Sequence, residues 1–157
     1  MKLFLIISLI CVIMLIAKSL STQYRDKYEF YYNLNQFLTN FKINLGFKQS
    51  KILDFIKDIK PRKDFKIFIE SYQTYLKTSN LDLTSIKNID DEERKELEDI
   101  IKNIGKLNIE GELSQINSFL YCVEARLKNA EDNKNKICPM ILKLSFLFAV
   151  GLAILFI

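Results

Sequence analysis

The sequence predicts an all-α protein: a cytosolic antiparallel helical bundle with a short N-terminal and a C-terminal membrane helix. Three observations carry this. Apolar residues recur at three- and four-residue steps along most of the 157 residues. Glycine occurs only at 46, 105, 111 and 151, and proline only at 61 and 139, so few positions can interrupt a helix. Both ends are apolar runs, and the second, Ile141 to Ile157, carries the single charge Lys143. The expected layout is residues 1–18 as membrane segment, 19–138 as bundle and 139–157 as a second membrane segment.

Leu3 to Ala17 is uncharged. Fifteen helical residues reach only ~22 Å, short of a ~30 Å hydrocarbon core. One reading is a retained anchor whose Lys2 and Lys18 snorkel while the bilayer thins. The other is a cleaved signal peptide ending at Ala17-Lys18-Ser19, which makes the chain an exported helical protein held by its C-terminal tail. Charge sets the orientation of the retained form. Lys18, Arg25 and Lys27 follow the first run, and Lys134, Lys136 and Lys143 flank or enter the last one. Both positive flanks face the middle of the chain, which places residues 18–140 in the cytosol.

Ser19 to Asn44 is the first bundle helix. Its stripe is Leu20, Tyr24, Tyr28, Tyr31, Leu34, Leu38, Phe41 and Leu45, widened by Phe30, Tyr32 and Phe37. A bundle core explains these aromatics better than base stacking, since no RNA-binding strand motif accompanies them. Gly46 is the expected stop. A second helix runs from the N-cap Ser50 to Ile59, and a third from Arg62 to Lys77 with Phe65, Phe68, Ile69, Tyr72 and Leu76 inward. The corner between them is basic, with Lys57, Lys60, Arg62, Lys63 and Lys66. It reads either as a solvated corner or as a docking patch for an acidic partner or anionic headgroups.

Ser79 to Ile89 is read as a loop or short helix lying on the bundle. Asp90 opens the next helix, and Asp90, Asp91, Glu92 and Glu93 crowd its first turn, where the helix dipole favours them. That run has an ordinary role as a helix start, or a second role in partner docking. Leu97, Ile100, Ile101 and Ile104 form its buried side, and Gly105 stops it. Asn108 caps the last helix, whose heptad seam is Leu113, Ile116, Leu120, Val123, Leu127, Ala130 and Ile137, with Lys134 in the one missing place. The seam is expected to pack on Tyr24–Phe41. Pro139 is expected to kink the helix near the membrane.

The chemistry classes are narrow. Without histidine there is no imidazole base, no usual nucleophilic triad and no His-based zinc site. No Gly-rich phosphate loop can be written. Cys11, Cys122 and Cys138 are scattered and form no CxxC pair. Glu70, Glu124 and Asp132 stand singly. No catalytic residue, metal site, cofactor, nucleic-acid partner or small-molecule substrate is expected.

Residues Ile104-Gly105-Lys106-Leu107-Asn108-Ile109-Glu110-Gly111-Glu112 carry a resemblance, extended by Ile116, Leu127 and Ala130, the basic residues before the membrane, and the tail from Lys143-Leu144-Ser145-Phe146-Leu147 to Gly151–Leu155. This C-terminal half resembles the stage III sporulation protein AB family of endospore-forming bacteria. It departs from the family pattern at Asn108 and Glu112, where Asp and Gln are usual, and at Ser145 and Pro139. The resemblance implies a non-enzymatic component of the secretion-like sporulation channel complex between mother cell and forespore. Its bundle would be similar to the cytoplasmic domain of type II secretion platform proteins. Its partners would be the complex's cytosolic ATPase, stage III sporulation protein AA, and other membrane components of that complex. Ile104, Gly105, Asn108, Gly111 and Glu112 form the family-matched turn, and Leu3, Ala17, Leu144 and Ile157 bound the membrane segments.

Overall fold

The structure, a computed structural model, describes residues 2–47, 55–56, 59, 61 and 63–156. Among them are four long helices and no strand: α1 (Lys2–Phe47), α2 (Lys63–Thr78), α3 (Asp91–Asn103) and α4 (Ile109–Phe156). The chain divides into two compact units. One holds Met1–Tyr28 with Asn129–Ile157, and the other Glu29–Lys128.

The Glu29–Lys128 unit is the helical bundle. From α1 it buries Phe30, Tyr31, Leu34, Phe37, Leu38 and Phe41, from α2 Phe65, Phe68, Ile69 and Tyr72, and from α3 Leu97, Ile100 and Ile101. Ile116, Leu120 and Val123 of α4 complete the core. Burying one such side chain contributes roughly 1.5–3 kcal/mol. The aromatic rings interlock edge to face: Phe30 meets Phe68 with centroids 6.0 Å apart, and Phe37 meets Tyr72 at 6.5 Å. Tyr32 departs from the widened stripe, being 46% exposed.

The expected helix Ser50–Ile59 lies outside the described residues except for Phe55, Ile56 and Ile59. Phe55 sits against Phe37 and Phe41, and Ile56 is buried. Residues 79–89 form no regular helix. They lie on the bundle through buried Leu83, Ile86 and Ile89, and are tied down by Ser71 Oγ donating to the Asp82 carbonyl and Asn88 Nδ2 donating to Asp64. Asp90 and Glu93 form a reciprocal capping box at the head of α3: each backbone N–H donates to the other's carboxylate, at 2.9 and 2.8 Å.

One helix end differs from expectation: α1 runs through Gly46 to Phe47. Pro139 lies inside α4, where the sequence places it, and the helix continues on both sides of it. A proline removes only one donor, and the remaining helix bonds can carry the turn.

The other unit is a helix pair made by the head of α1 and the tail of α4. Cys138 donates its thiol to the Ser21 carbonyl at 3.4 Å, and Lys134 lies over the ring of Tyr28. Its inward positions are Ala17 and Ser21 on α1, and Ala130, Cys138 and Ala149 on α4. Ser21 takes the inward place expected of Leu20, which is 43% exposed.

Candidate functional site

The turn between α3 and α4 is organised by one buried carboxylate. Glu112 is 2% exposed and accepts N–H bonds from Gly105 at 2.6 Å and Leu107 at 3.3 Å. A helix that begins at Ile109 thus reaches back with its fourth residue to satisfy the loop before it. Asn108 closes the same turn as N-cap: its Oδ1 accepts from the Gly111 N–H at 3.0 Å, and its carbonyl from Glu112 at 2.8 Å.

Both glycines here have a physical reason. Gly105 adopts φ 86, which L side chains rarely tolerate. A Cβ on Gly111 would stand 2.8 Å from the capping Asn108 Oδ1 and 3.3 Å from the Leu107 Cβ. Ile104 is buried beneath the turn, while Leu107 and Ile109 face outward at 55% and 42% exposure. Glu112 is the first fully buried position of α4, and Leu113 beside it is half-buried. Burial and the nearby Glu112 charge push the Tyr72 phenol above the ordinary tyrosine range.

The charged runs are partly consumed within the fold. Asp90 caps α3, and Glu93 is 3% exposed, held by the capping box beside the buried Tyr31. Desolvation first, and the Glu93 charge second, raise the Tyr31 phenol above its usual range. Asp91 and Glu92 stay outward; Asp91 pairs with Arg94 at 2.8 Å, and Glu92 lies 3.8 Å from Arg126. Of the basic corner, Lys63 pairs with Glu29 at 2.9 Å and Lys66 lies 3.7 Å from Glu70. Lys57, Lys60 and Arg62 lie outside the described residues.

Periodicity along the sequence does not report the strongest tie between α3 and α4. Arg126 grips Glu96 with both arms of its guanidinium, Nε at 3.1 Å and Nη2 at 2.6 Å, and so ties α4 to α3. This hydrogen-bonded carboxylate, the leading cause, raises the already high Arg126 value further. Its signal was present: Glu92 and Glu96 share one helix face, and Arg126 is the one arginine of the last helix.

A turn built by Gly105, Asn108, Gly111 and Glu112 leads into a single helix with an apolar tail. The family model for stage III sporulation protein AB matches residues 2–157. The chain belongs to the stage III sporulation protein AB family. No curated protein and no solved structure matches it significantly.

In this sporulation-family chain both long helices contain stretches long and apolar enough to cross a membrane, and those stretches are almost wholly unburied. That separates them from the core helix of a soluble protein. Among the expected membrane residues, Ala17 is buried in the helix pair and Leu144 faces outward at 58% exposure. Leu3 lies within α1, and Ile157 lies outside the described residues. Ile7, Val12, Leu15 and Ile16 face outward on α1, as do Phe146, Leu147, Phe148 and Ile154 on α4. The inward line is small: buried Ala17 and Ser21 are four apart on α1, and on α4 buried Ala149 has the half-buried Ser145 four residues before it. Small residues at a four-residue spacing let helix backbones approach in lipid, where apolar bulk belongs outside.

Proposed function

We propose that this chain is a non-enzymatic, membrane-anchored component of the sporulation channel complex between mother cell and forespore, whose bundle docks the complex's cytosolic ATPase. The observation that carries the reading is the family match across both apolar ends and the bundle between them. Retention of residues 1–17 is supported by α1, which is continuous across Ala17-Lys18-Ser19 and buries Ala17 in the helix pair. The positive flanks at Lys18, Arg25, Lys134 and Lys136 favour a cytosolic bundle, and the mother-cell membrane is the location that the family membership suggests.

The docking face is proposed among side chains that reach solvent: Asp91 and Glu92, Lys63 and Lys66, and the exposed Leu107 and Ile109 of the turn. The test is binding of the full chain, in lipid nanodiscs, to the purified ATPase. Micromolar or tighter association, weakened tenfold by D91K/E92K or by K63E/K66E, supports the reading. A full chain that shows no association at tens of micromolar ATPase overturns it.

A further inference from the structure

We propose that the helix pair carries a collar for anionic phospholipid headgroups, formed by Lys18, Arg25, Lys136 and Lys143. The net charge of the chain is concentrated in one unit. Residues 1–28 and 129–157 hold seven basic and three acidic side chains, whereas residues 29–128 hold sixteen of each. The whole net charge of +4 therefore belongs to the helix-pair unit. Six of its seven basic residues lie at one end of the pair, with Lys2 at the other.

Two contacts set the register of the pair: Cys138 to the Ser21 carbonyl, and Lys134 to Tyr28. Counting helical rise from the Ser21–Cys138 level, Lys18 lies about 4.5 Å and Lys143 about 7.5 Å toward the apolar ends. On the other side, Lys136 lies about 3 Å and Arg25 about 6 Å away. Four cations on two helices thus fall in one band about 14 Å deep. Long aliphatic stems narrow that band further, because they bring each head to the same interface.

The protein supplies little countercharge there. Lys18, Arg25 and Lys143 are exposed and form no ion pair among the described residues. Lys136 has the exposed Asp132 at 3.8 Å, a pair worth little in water. Three unpaired cations at the margin of an apolar helix pair fit the phosphate of a lipid that has no cation of its own. A zwitterionic headgroup carries its own ammonium and gains far less. The collar thus selects which lipid surrounds the pair, independently of whether the bundle docks an ATPase.

The test uses the full chain in phosphatidylcholine vesicles containing spin-labelled phosphatidylglycerol or spin-labelled phosphatidylcholine. The immobilised fraction of each label reports association with the protein. The collar predicts that phosphatidylglycerol associates about fivefold more strongly, the worth of one basic residue at an anionic surface. The preference should vanish in 1 M salt, where screening acts within about 3 Å. K18Q/R25Q/K143Q should abolish it, while K2Q and the charge-conserving K18R/R25K/K143R should keep it. Equal association of the two lipids overturns the proposal, as does a preference that survives salt in the unaltered chain. The salt titration decides even if the triple variant fails to insert.

Discussion

The ammonium of Lys134 stands 3.5 Å from the centroid of the Tyr28 ring. This contact accounts for the one gap in the heptad seam of α4. Seven places hold aliphatic residues, and the eighth holds a lysine whose charge lies on an aromatic face rather than in a void. The half-buried stem fills the seam, and the ring faces the cation. Replacing Lys134 by Gln should cost about 1 kcal/mol, and Tyr28→Leu about the same. The double variant should cost less than their sum by a coupling of about 0.5–1 kcal/mol, measured by loss of helicity on heating in micelles. Strict additivity would mean that the contact contributes nothing.

Glu112 is the residue on which the turn depends most. Glu112→Gln keeps the shape but removes the charge that accepts the Gly105 and Leu107 N–H groups, and should cost about 1–3 kcal/mol. Gly111→Ala pushes a methyl group against the capping Asn108 Oδ1 and should lose about 1 kcal/mol, the usual worth of a cap. Urea unfolding of the full chain in micelles reads both. Gly151→Ala is the control, because a Cβ there meets nothing within 4 Å.

The four described long helices, the helix start at Asp90, the Gly105 stop and the Asn108 cap were legible because each rests on local chemistry. Two inward positions were not, and both failed for the same reason. Sequence reading sends apolar residues inward, yet the exposed Leu20 yields its place to Ser21, and Glu112 is buried more deeply than the half-buried Leu113. At Ser21 a small side chain lets the two helices come close enough for the Cys138 thiol to reach the Ser21 carbonyl at 3.4 Å. At Glu112 a carboxylate is buried because backbone donors satisfy it, and those donors exist only once the Gly105 turn has formed. The Arg126–Glu96 clamp spans thirty residues, and no local pattern reports such a pairing.

Tyr72 should show both a mutational and a pH effect. Its hydroxyl is buried without a hydrogen-bond partner among the described residues. Tyr72→Phe should therefore leave stability unchanged or raise it, by up to about 1 kcal/mol. Burial raises the phenol pKa of Tyr72, as it does that of Tyr31. The folded state then keeps protons that the unfolded chain releases near pH 10. This contribution is complete below that pH and declines above it. Thermal midpoints followed from pH 8 to 12 should fall at the alkaline end, and less steeply for Tyr72→Phe. An unchanged slope would mean that Tyr72 ionises in the folded protein.

The close approach of Ser21 and Cys138 gives a direct probe of the helix pair. The Cys138 sulfur lies 3.4 Å from the Ser21 carbonyl oxygen, so a thiol at position 21 starts near disulfide range. Cys11 and Cys122 are exposed and would confuse the result, so both are changed to Ala. In that background Ser21→Cys should form an intramolecular disulfide with Cys138 under mild oxidation in membranes, seen as a faster band without reductant. Thr22→Cys, on the exposed side of the same turn, should not. Adding Ala17→Leu to the Ser21→Cys chain places a branched side chain in a 1% exposed site. That overpacking should cost about 1–3 kcal/mol and slow the cross-link. Equal rates with and without Ala17→Leu would show that Ala17 does not set the helix approach.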